Sequence, residues 1–262
     1  DCALWDLKAK VLGVSLVDLL GRYRSSILVY GSGGFTSYYI DQLQQQLGGW
    51  IQHGFKAVKM KVGRNPDQDI GRVRKAREAI GRDALLFVDA NGAFNLKQAL
   101  QMAKEFSDYE VRWFEEPVTS DNLEGLNYIR ENGPAGIQIT AGEYGYDQTY
   151  FLRMLNASAV DVLQIDATRC AGITGFLQAA ALCDAFHIPL SSHTAPSIHA
   201  HVCCALRPAI HVEYFHDHER IEHLLFEGAL TPVEGKLYPD LTRPGLGLEF
   251  VHKNAEPYEV DF

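Results

Sequence analysis

The sequence has no uninterrupted apolar run long enough to cross a bilayer and no basic-then-apolar leader, so no membrane partner is expected. Cysteine is sparse. The five thiols are odd in number and show no Cys-x-x-Cys spacing, which fits a disulfide framework poorly and makes a reducing cytoplasm the expected setting. Basic residues are in deficit, 24 Lys and Arg against 33 Asp and Glu, and a formal net charge of −9 argues against a nucleic-acid backbone as partner. An anionic substrate would therefore need locally placed cations. Gly31-Ser32-Gly33-Gly34 lacks both the Gly-Lys-Ser/Thr ending of a phosphate loop and the six-residue dinucleotide fingerprint. His199-x-His201 and His216-x-His218 lack the further ligands of a closed metal site, and residues two apart cannot share a helix face, so packing or surface roles are expected of them. Low-complexity segments, flexible linkers and tandem repeats are missing as well.

What the sequence does contain is material for a core, at 47% hydrophobic and 22% charged residues. Its 262 residues lie near the ~250 typical of one eight-stranded β/α barrel, and would also suffice for two smaller domains. The local pattern favours the barrel. Short apolar runs at Ile27–Tyr30, Ala57–Val62, Leu85–Asp89, Val111–Glu115, Ile137–Ala141, Val162–Asp166, Pro189–His193 and His211–Phe215 read as eight strands. Amphipathic stretches separate them, such as Asp69–Ile80 behind an Asn65 N-cap and Pro66, and this alternation predicts βα units around a parallel sheet. Cys2–Leu20 reads as helix, and Asp1 rather than Met opens the chain, so the chain is expected to begin partway into a longer protein. After Phe215 the strand–helix rhythm is expected to stop, leaving a Pro- and Gly-rich tail beside the barrel.

From the second strand onward each strand ends in a titratable residue: Lys61, Asp89, Glu115, Glu143, Asp166, His193 and Glu213, at intervals of 20 to 28 residues. In a β/α barrel such positions converge on one mouth, where catalysis sits. A lone Asp or Glu at a strand end is an ordinary cap, but Asp89, Glu115 and Glu143 on successive strands would repel one another unless protonated or neutralised. An all-oxygen set of this kind suits Mg²⁺, with Mn²⁺ as a substitute. Lys59 and Lys61 share one face of their strand, so if Val58, Met60 and Val62 face the helices both ammonium groups enter the barrel. There they are expected to depress each other's pKa, as a nearby metal ion would too, making a neutral lysine base accessible near pH 7. Asp166 and His193, on neighbouring strands, form a general acid–base dyad in which the carboxylate fixes the imidazole tautomer. Glu213 either donates a hydrogen bond to developing charge or pairs with a lysine.

These residues, with Ala3-Leu4-Trp5-Asp6, Lys59-Met60-Lys61, Val88-Asp89-Ala90-Asn91-Gly92, Phe114-Glu115-Glu116-Pro117, Ala141-Gly142-Glu143, Ile165-Asp166-Ala167, Gly172-Ile173-Thr174-Gly175 and Ser191-Ser192-His193, resemble the mandelate racemase subgroup of the enolase superfamily nearly end to end. The resemblance implies a TIM-like (β/α)7β modified barrel over residues 27–225 and a tail at 226–262. Residues 1–26 would be a helical lead-in from an N-terminal capping domain that this chain lacks, and that domain would choose the substrate and close the site. It implies Asp89, Glu115 and Glu143 as Mg²⁺ ligands, Lys61 as base on one substrate face and the His193–Asp166 dyad on the other. Lys59 would assist the lysine base and the substrate carboxylate, Glu213 would stabilise an enolate, Glu116 would support the ligands, and Asn91 and Ser32 would contact substrate. Self-association is implied too.

The expected function is Mg²⁺-dependent removal of the proton α to a carboxylate of a small molecule, leading to dehydration of a sugar acid to its 2-keto-3-deoxy product. A racemase or epimerase of α-hydroxy acids is the alternative. A metal-dependent aldose isomerase and a non-catalytic, metal-stabilised barrel are weaker readings, because neither has an obvious use for the lysine pair plus the dyad.

Overall fold

The computed structural model describes residues 1–260. Eight parallel strands form its centre: β1 (Ile27–Gly33), β2 (Ala57–Lys61), β3 (Leu85–Asp89), β4 (Val111–Glu115), β5 (Gln138–Ala141), β6 (Val162–Ile165), β7 (Leu190–Ser192) and β8 (Ala209–Phe215). Spatial order follows chain order, and β8 pairs back onto β1 with Glu213 opposite Tyr30, which closes the ring. Parallel neighbours require a crossover, and a helix supplies each one. These are α3 (Ile40–Gln52), α4 (Pro66–Ile80), α5 (Leu96–Ser107), α6 (Leu123–Asn132), α7 (Gln148–Asn156), α8 (Gly172–Ala185) and α9 (Pro196–Cys204), with α1 (Cys2–Leu12) and α2 (Leu16–Leu20) ahead of the barrel. The architecture is the expected (β/α)7β barrel.

Local chemistry sets the boundaries. At the start of α5 the Asn95 side chain accepts from Gln98 N and the Gln98 side chain accepts from Asn95 N, satisfying two donors that the first turn leaves free. The helix behind Asn65 starts at Pro66 as expected, with Asn65 at its N-cap, although the Asn65 side chain makes no capping bond. Two expectations need correction. Cys2–Leu20 is two helices rather than one, because Gly13 adopts φ +68° and ends α1, and Ser15 then caps α2. The rhythm also continues past Phe215: α10 (His216–Leu225) follows β8 directly, carrying Asp217 and Glu219 in its first turn, where the helix dipole favours acids.

The tail packs beside the barrel. Lys236–Leu237 pairs antiparallel with the start of β1, at the end of the barrel away from the mouth. Asp6 Oδ1 accepts from Leu246 N, and Gly245 O from Leu16 N, tying the first helices to the tail. Among the described residues no helix is long and apolar enough to cross a membrane.

Period-two alternation then divides each strand between two environments. Val58 and Met60 of β2, and Val62 just past its end, face the apolar layer under the helices, as do Leu86 and Val88 of β3 and Phe114 of β4. Inside the ring, Tyr30, Phe87 and Trp113 plug the lower barrel with Ala57 and Val162, the Phe87 and Trp113 rings stacking at 5.2 Å. His211 packs among these rings, 4.9 Å from Tyr30 and 5.3 Å from Trp113, while the charged inner side chains lie nearer the mouth.

Candidate active site

The inner side chains above the plug are charged. Lys61, Asp89 and Glu115 are register partners on β2, β3 and β4, so their side chains leave adjacent strands at one level. Lys59 lies one layer deeper, 1% exposed, with Nζ 2.7 and 2.6 Å from the Glu115 carboxylate oxygens, 2.8 Å from Glu213 Oε1 and 3.8 Å from Asp89 Oδ2. Lys61 donates to Asp89 Oδ2 and, at 3.0 Å, to Asn91 Oδ1. Burial works to lower both lysines, but the carboxylates around them win and both are raised. The Lys59 charge does work to lower Lys61, as the sequence leads one to expect, but the carboxylates around the pair outweigh it.

Glu143 reaches the site by a different device. Gly142 sits at φ +132°, and a Cβ there would lie 2.3 Å from Gln164 O, so only glycine lets the chain turn Glu143 inward past the end of β5. One carboxylate oxygen each from Asp89, Glu115 and Glu143 then lies within 4.8 Å of the others, all three groups being buried. An octahedral shell with bonds of 2.0–2.1 Å spaces its oxygens about 3 to 4.2 Å apart, so small side-chain movements suffice to share one ion. Glu116 Oε1 and Glu143 Oε2 are buried without a hydrogen-bond partner among the described residues, and burial, then the Glu143 and Asp89 charges, push Glu116 up to about 8. Orphaned acceptors and surplus buried acid are what a hard divalent cation relieves. The residues fit Mg²⁺.

On the other side of the mouth His193 Nδ1 donates to Asp166 Oδ2 at 2.9 Å. Asp166 Oδ1 accepts from Thr168 N and Oγ1, both at 2.7 Å. Although burial works the other way, the His193 hydrogen bond and the neighbouring imidazoles hold Asp166 below the ordinary carboxylate range. His193 Nε2 is left facing the centre, 3.2 Å from Glu143 Oε2 and 4.0 Å from Glu213 Oε2. Glu213 itself accepts from Thr194 N at 2.9 Å, and Lys59 outweighs burial to keep it ionised. Of its two expected roles, the lysine pair is the one present here.

Of the remaining expected residues, Asn91 sits at φ +44° with its N–H on Asp89 Oδ1, and Ser32 is fully buried in register with Lys59, its hydroxyl unpartnered among the described residues. Asn91 and Glu116 also line a pocket of about 660 Å³ with Thr119, Ser120, Tyr144 and Tyr150. Sequence reasoning passed over Arg169, whose guanidinium lies 3.4 Å from Glu143 Oε1 and 3.6 Å from Asp166 Oδ2, against the Tyr144 ring. Its position three residues after Asp166, at a strand end in an acidic chain, was the available signal. The two His-x-His pairs serve packing and backbone bonds: His201 accepts from Val17 N and His218 from Ala195 N.

A family model described as enolase C-terminal domain-like matches residues 42–254, and the mandelate racemase / muconate lactonizing enzyme N-terminal domain model matches residues 1–21. The chain belongs to the mandelate racemase group of the enolase superfamily. Among superfamily members, an L-talarate/galactarate dehydratase of Salmonella typhimurium is 32% identical over 249 residues, 94% of this chain and 61% of the relative. A mandelate racemase/muconate lactonizing enzyme-like protein from Rubrobacter xylanophilus superposes with a TM-score of 0.95 at 51% identity, covering 98% of this chain and 71% of that one. L-talarate dehydratase from Polaromonas sp. JS666, solved with Mg and L-glucarate, gives 0.88 at 33% identity, covering 97% and 70%. The chain therefore spans less than two thirds of the length of the Salmonella enzyme.

Proposed function

We propose that the protein removes the proton α to the carboxylate of a sugar acid and expels a β-hydroxyl as water, giving a 2-keto-3-deoxy acid. One observation carries this reading: the lysine pair on β2 and the dyad at the ends of β6 and β7 bracket the carboxylate triad at the ends of β3, β4 and β5. A substrate held over the triad thereby has a basic group on each side.

An α-proton is weakly acidic because its loss places a second negative charge beside the carboxylate. Mg²⁺ held by Asp89, Glu115 and Glu143 would supply Lewis-acid stabilisation of that charge. Lys61 takes the α-proton on one face. With the triad's charge neutralised, Lys61 would be freed from the acid field that raises it and could serve as a base near neutral pH. Lys59, fixed by Glu115 and Glu213, points its ammonium at the level where enolate charge grows. His193, once protonated, hands its Nε2 proton to the departing β-hydroxyl, the C–O bond breaks, and the enol product returns to the keto acid. Asn91 and Ser32 are read as substrate contacts and Glu116 as support for the ligands.

A 1,1-proton transfer is the second reading, favoured by the same bracketing, since His193 can return a proton to the opposite face. Residues 1–26 are read as the lead-in from a capping domain. The outward apolar side chains Leu4, Leu7, Val11 and Leu12 of α1 support this reading, and they also support self-association of the whole protein. A cytoplasmic setting is supported by five free thiols, four of them buried.

The test is a panel of sugar acids with the full-length, Mg²⁺-loaded protein, following keto-acid formation and α-deuterium uptake from D2O. Keto acid that disappears in Lys61→Ala with metal binding intact supports dehydration, and deuterium uptake without keto acid supports the epimerase. Turnover unchanged in Lys61→Ala rejects the base.

A further inference from the structure

His199 has no part in that mechanism, yet both its ring nitrogens are engaged beside the dyad. It is wholly buried, the fourth residue of α9. Ala167 N, one residue after Asp166, donates to His199 Nε2 at 2.9 Å. His199 Nδ1 lies 2.7 Å from Thr194 O, one residue after His193. A peptide N–H only donates and a carbonyl only accepts, so the two partners dictate one neutral tautomer, with the proton on Nδ1.

The turn it holds is strained. Thr194 and Ala195 lie at φ +51° and +38°, a left-handed conformation that is costly for a non-glycine residue. Such a turn persists only where its surroundings determine it. Thr194 N is held by Glu213 Oε2 and Ala195 N by His218 Nδ1, while Thr194 O is held by His199. The same ring grips the backbone behind Asp166.

We infer that His199 is a positioning residue, tying the turn after Asp166 to the turn after His193 and so setting the His193–Asp166 hydrogen bond and the aim of His193 Nε2. The inference rests on the reading of His193 as an acid–base group. Its rival is simple packing, for His199 also lies against Phe176 with ring centroids 5.4 Å apart.

His199→Phe keeps a ring of similar shape and removes both hydrogen bonds, whereas His199→Gln restores an amide donor and acceptor. With the full-length, Mg²⁺-loaded enzyme in D2O, α-epimeric pairs of sugar acids separate the two faces, Lys61→Ala and His193→Asn identifying which epimer reports which base. His199→Phe should lose about 10- to 100-fold in exchange on the His193 side, the cost of an ångström-scale misplacement, with the Lys61 side and Mg²⁺ affinity unchanged. His199→Gln should recover most of that loss. In Mg²⁺-free protein, long-range 1H–15N spectra should show His193 as a single Nδ1–H tautomer in the wild type and a mixture in His199→Phe. Equal loss on both sides, or an unaltered His193 tautomer and exchange rate, overturns the inference. If the wild type exchanges at neither face the acid–base reading falls, and the spectra still decide whether His199 sets the state of His193.

Discussion

Replacing Lys59 by Met should cost the metal-free protein several kcal/mol. The ammonium is 1% exposed and sits 2.6–2.8 Å from two carboxylates that are themselves 0% and 1% exposed. Methionine fills most of the volume, so the perturbation is chiefly electrostatic: Glu115 and Glu213 lose their partner in a site that water does not reach. Removing one member of a buried pair costs about 3–5 kcal/mol, mostly the penalty of stranding the remaining charge. For a chain of this size each kcal/mol moves the melting midpoint by about 2–4 °C, so the metal-free variant should melt roughly 6–20 °C below wild type. Protonation of the stranded acids relieves the penalty, and it should therefore shrink as pH is lowered. Burial, followed by the charge of Asp89, already raises Glu115 well above the usual range. Saturating Mg²⁺ should also narrow the gap, because the cation replaces part of the lost positive charge. Circular dichroism melts of wild type and variant, with EDTA and with Mg²⁺, provide the comparison. A metal-free variant melting within about 2 °C of wild type would show that the lysine is not holding these acids together.

Glu143→Gln, which keeps the shape and removes one ligand charge, should weaken Mg²⁺ binding by at least about tenfold in calorimetry, and equal affinity would remove Glu143 from the site. Gly142→Ala should weaken Mg²⁺ binding as well and cost roughly 1–3 kcal/mol, because its Cβ meets Gln164 O at 2.3 Å; a neutral outcome would mean that the turn yields freely. His201, wholly buried and pushed down to about 4 by burial, stays neutral in the fold while the unfolded chain binds a proton below about 6.5. Its contribution is complete above about pH 6.5 and is lost as pH falls through about 4, so wild type should shed of order 3 kcal/mol over that window that His201→Gln retains; parallel denaturation curves would refute it.

Much of this was legible in the sequence because a barrel turns period-two patterning and regular spacing into geometry. Each strand end from Lys61 to His193 could be named from the apolar run before it, and a closed ring brings such ends together without further information. Glu213 was harder to read. It lies two residues inside β8 rather than at its tip, and only the pairing of β8 with β1 puts it beside Lys59. The acid field around the lysines was harder to read for a related reason: spacing shows two like charges on one face, whereas their pKa also depends on acids contributed by β3, β4 and β8. His199 looked like half of a packing pair, and its grip on Ala167 N and Thr194 O depends on how α9 is set against β6 and β7. The break at Gly13 and the helix after Phe215 are local matters, where a single glycine and a short polar helix fall below the resolution of periodicity.

Three carboxylates from successive strands would hold a single divalent ion between the lysines and the histidine. An anomalous difference map of crystals grown with Mn²⁺ tests this most directly. One peak per chain bonded to Asp89, Glu115 and Glu143 is the predicted result; a peak elsewhere, or ordered carboxylates with no peak among them, would contradict it.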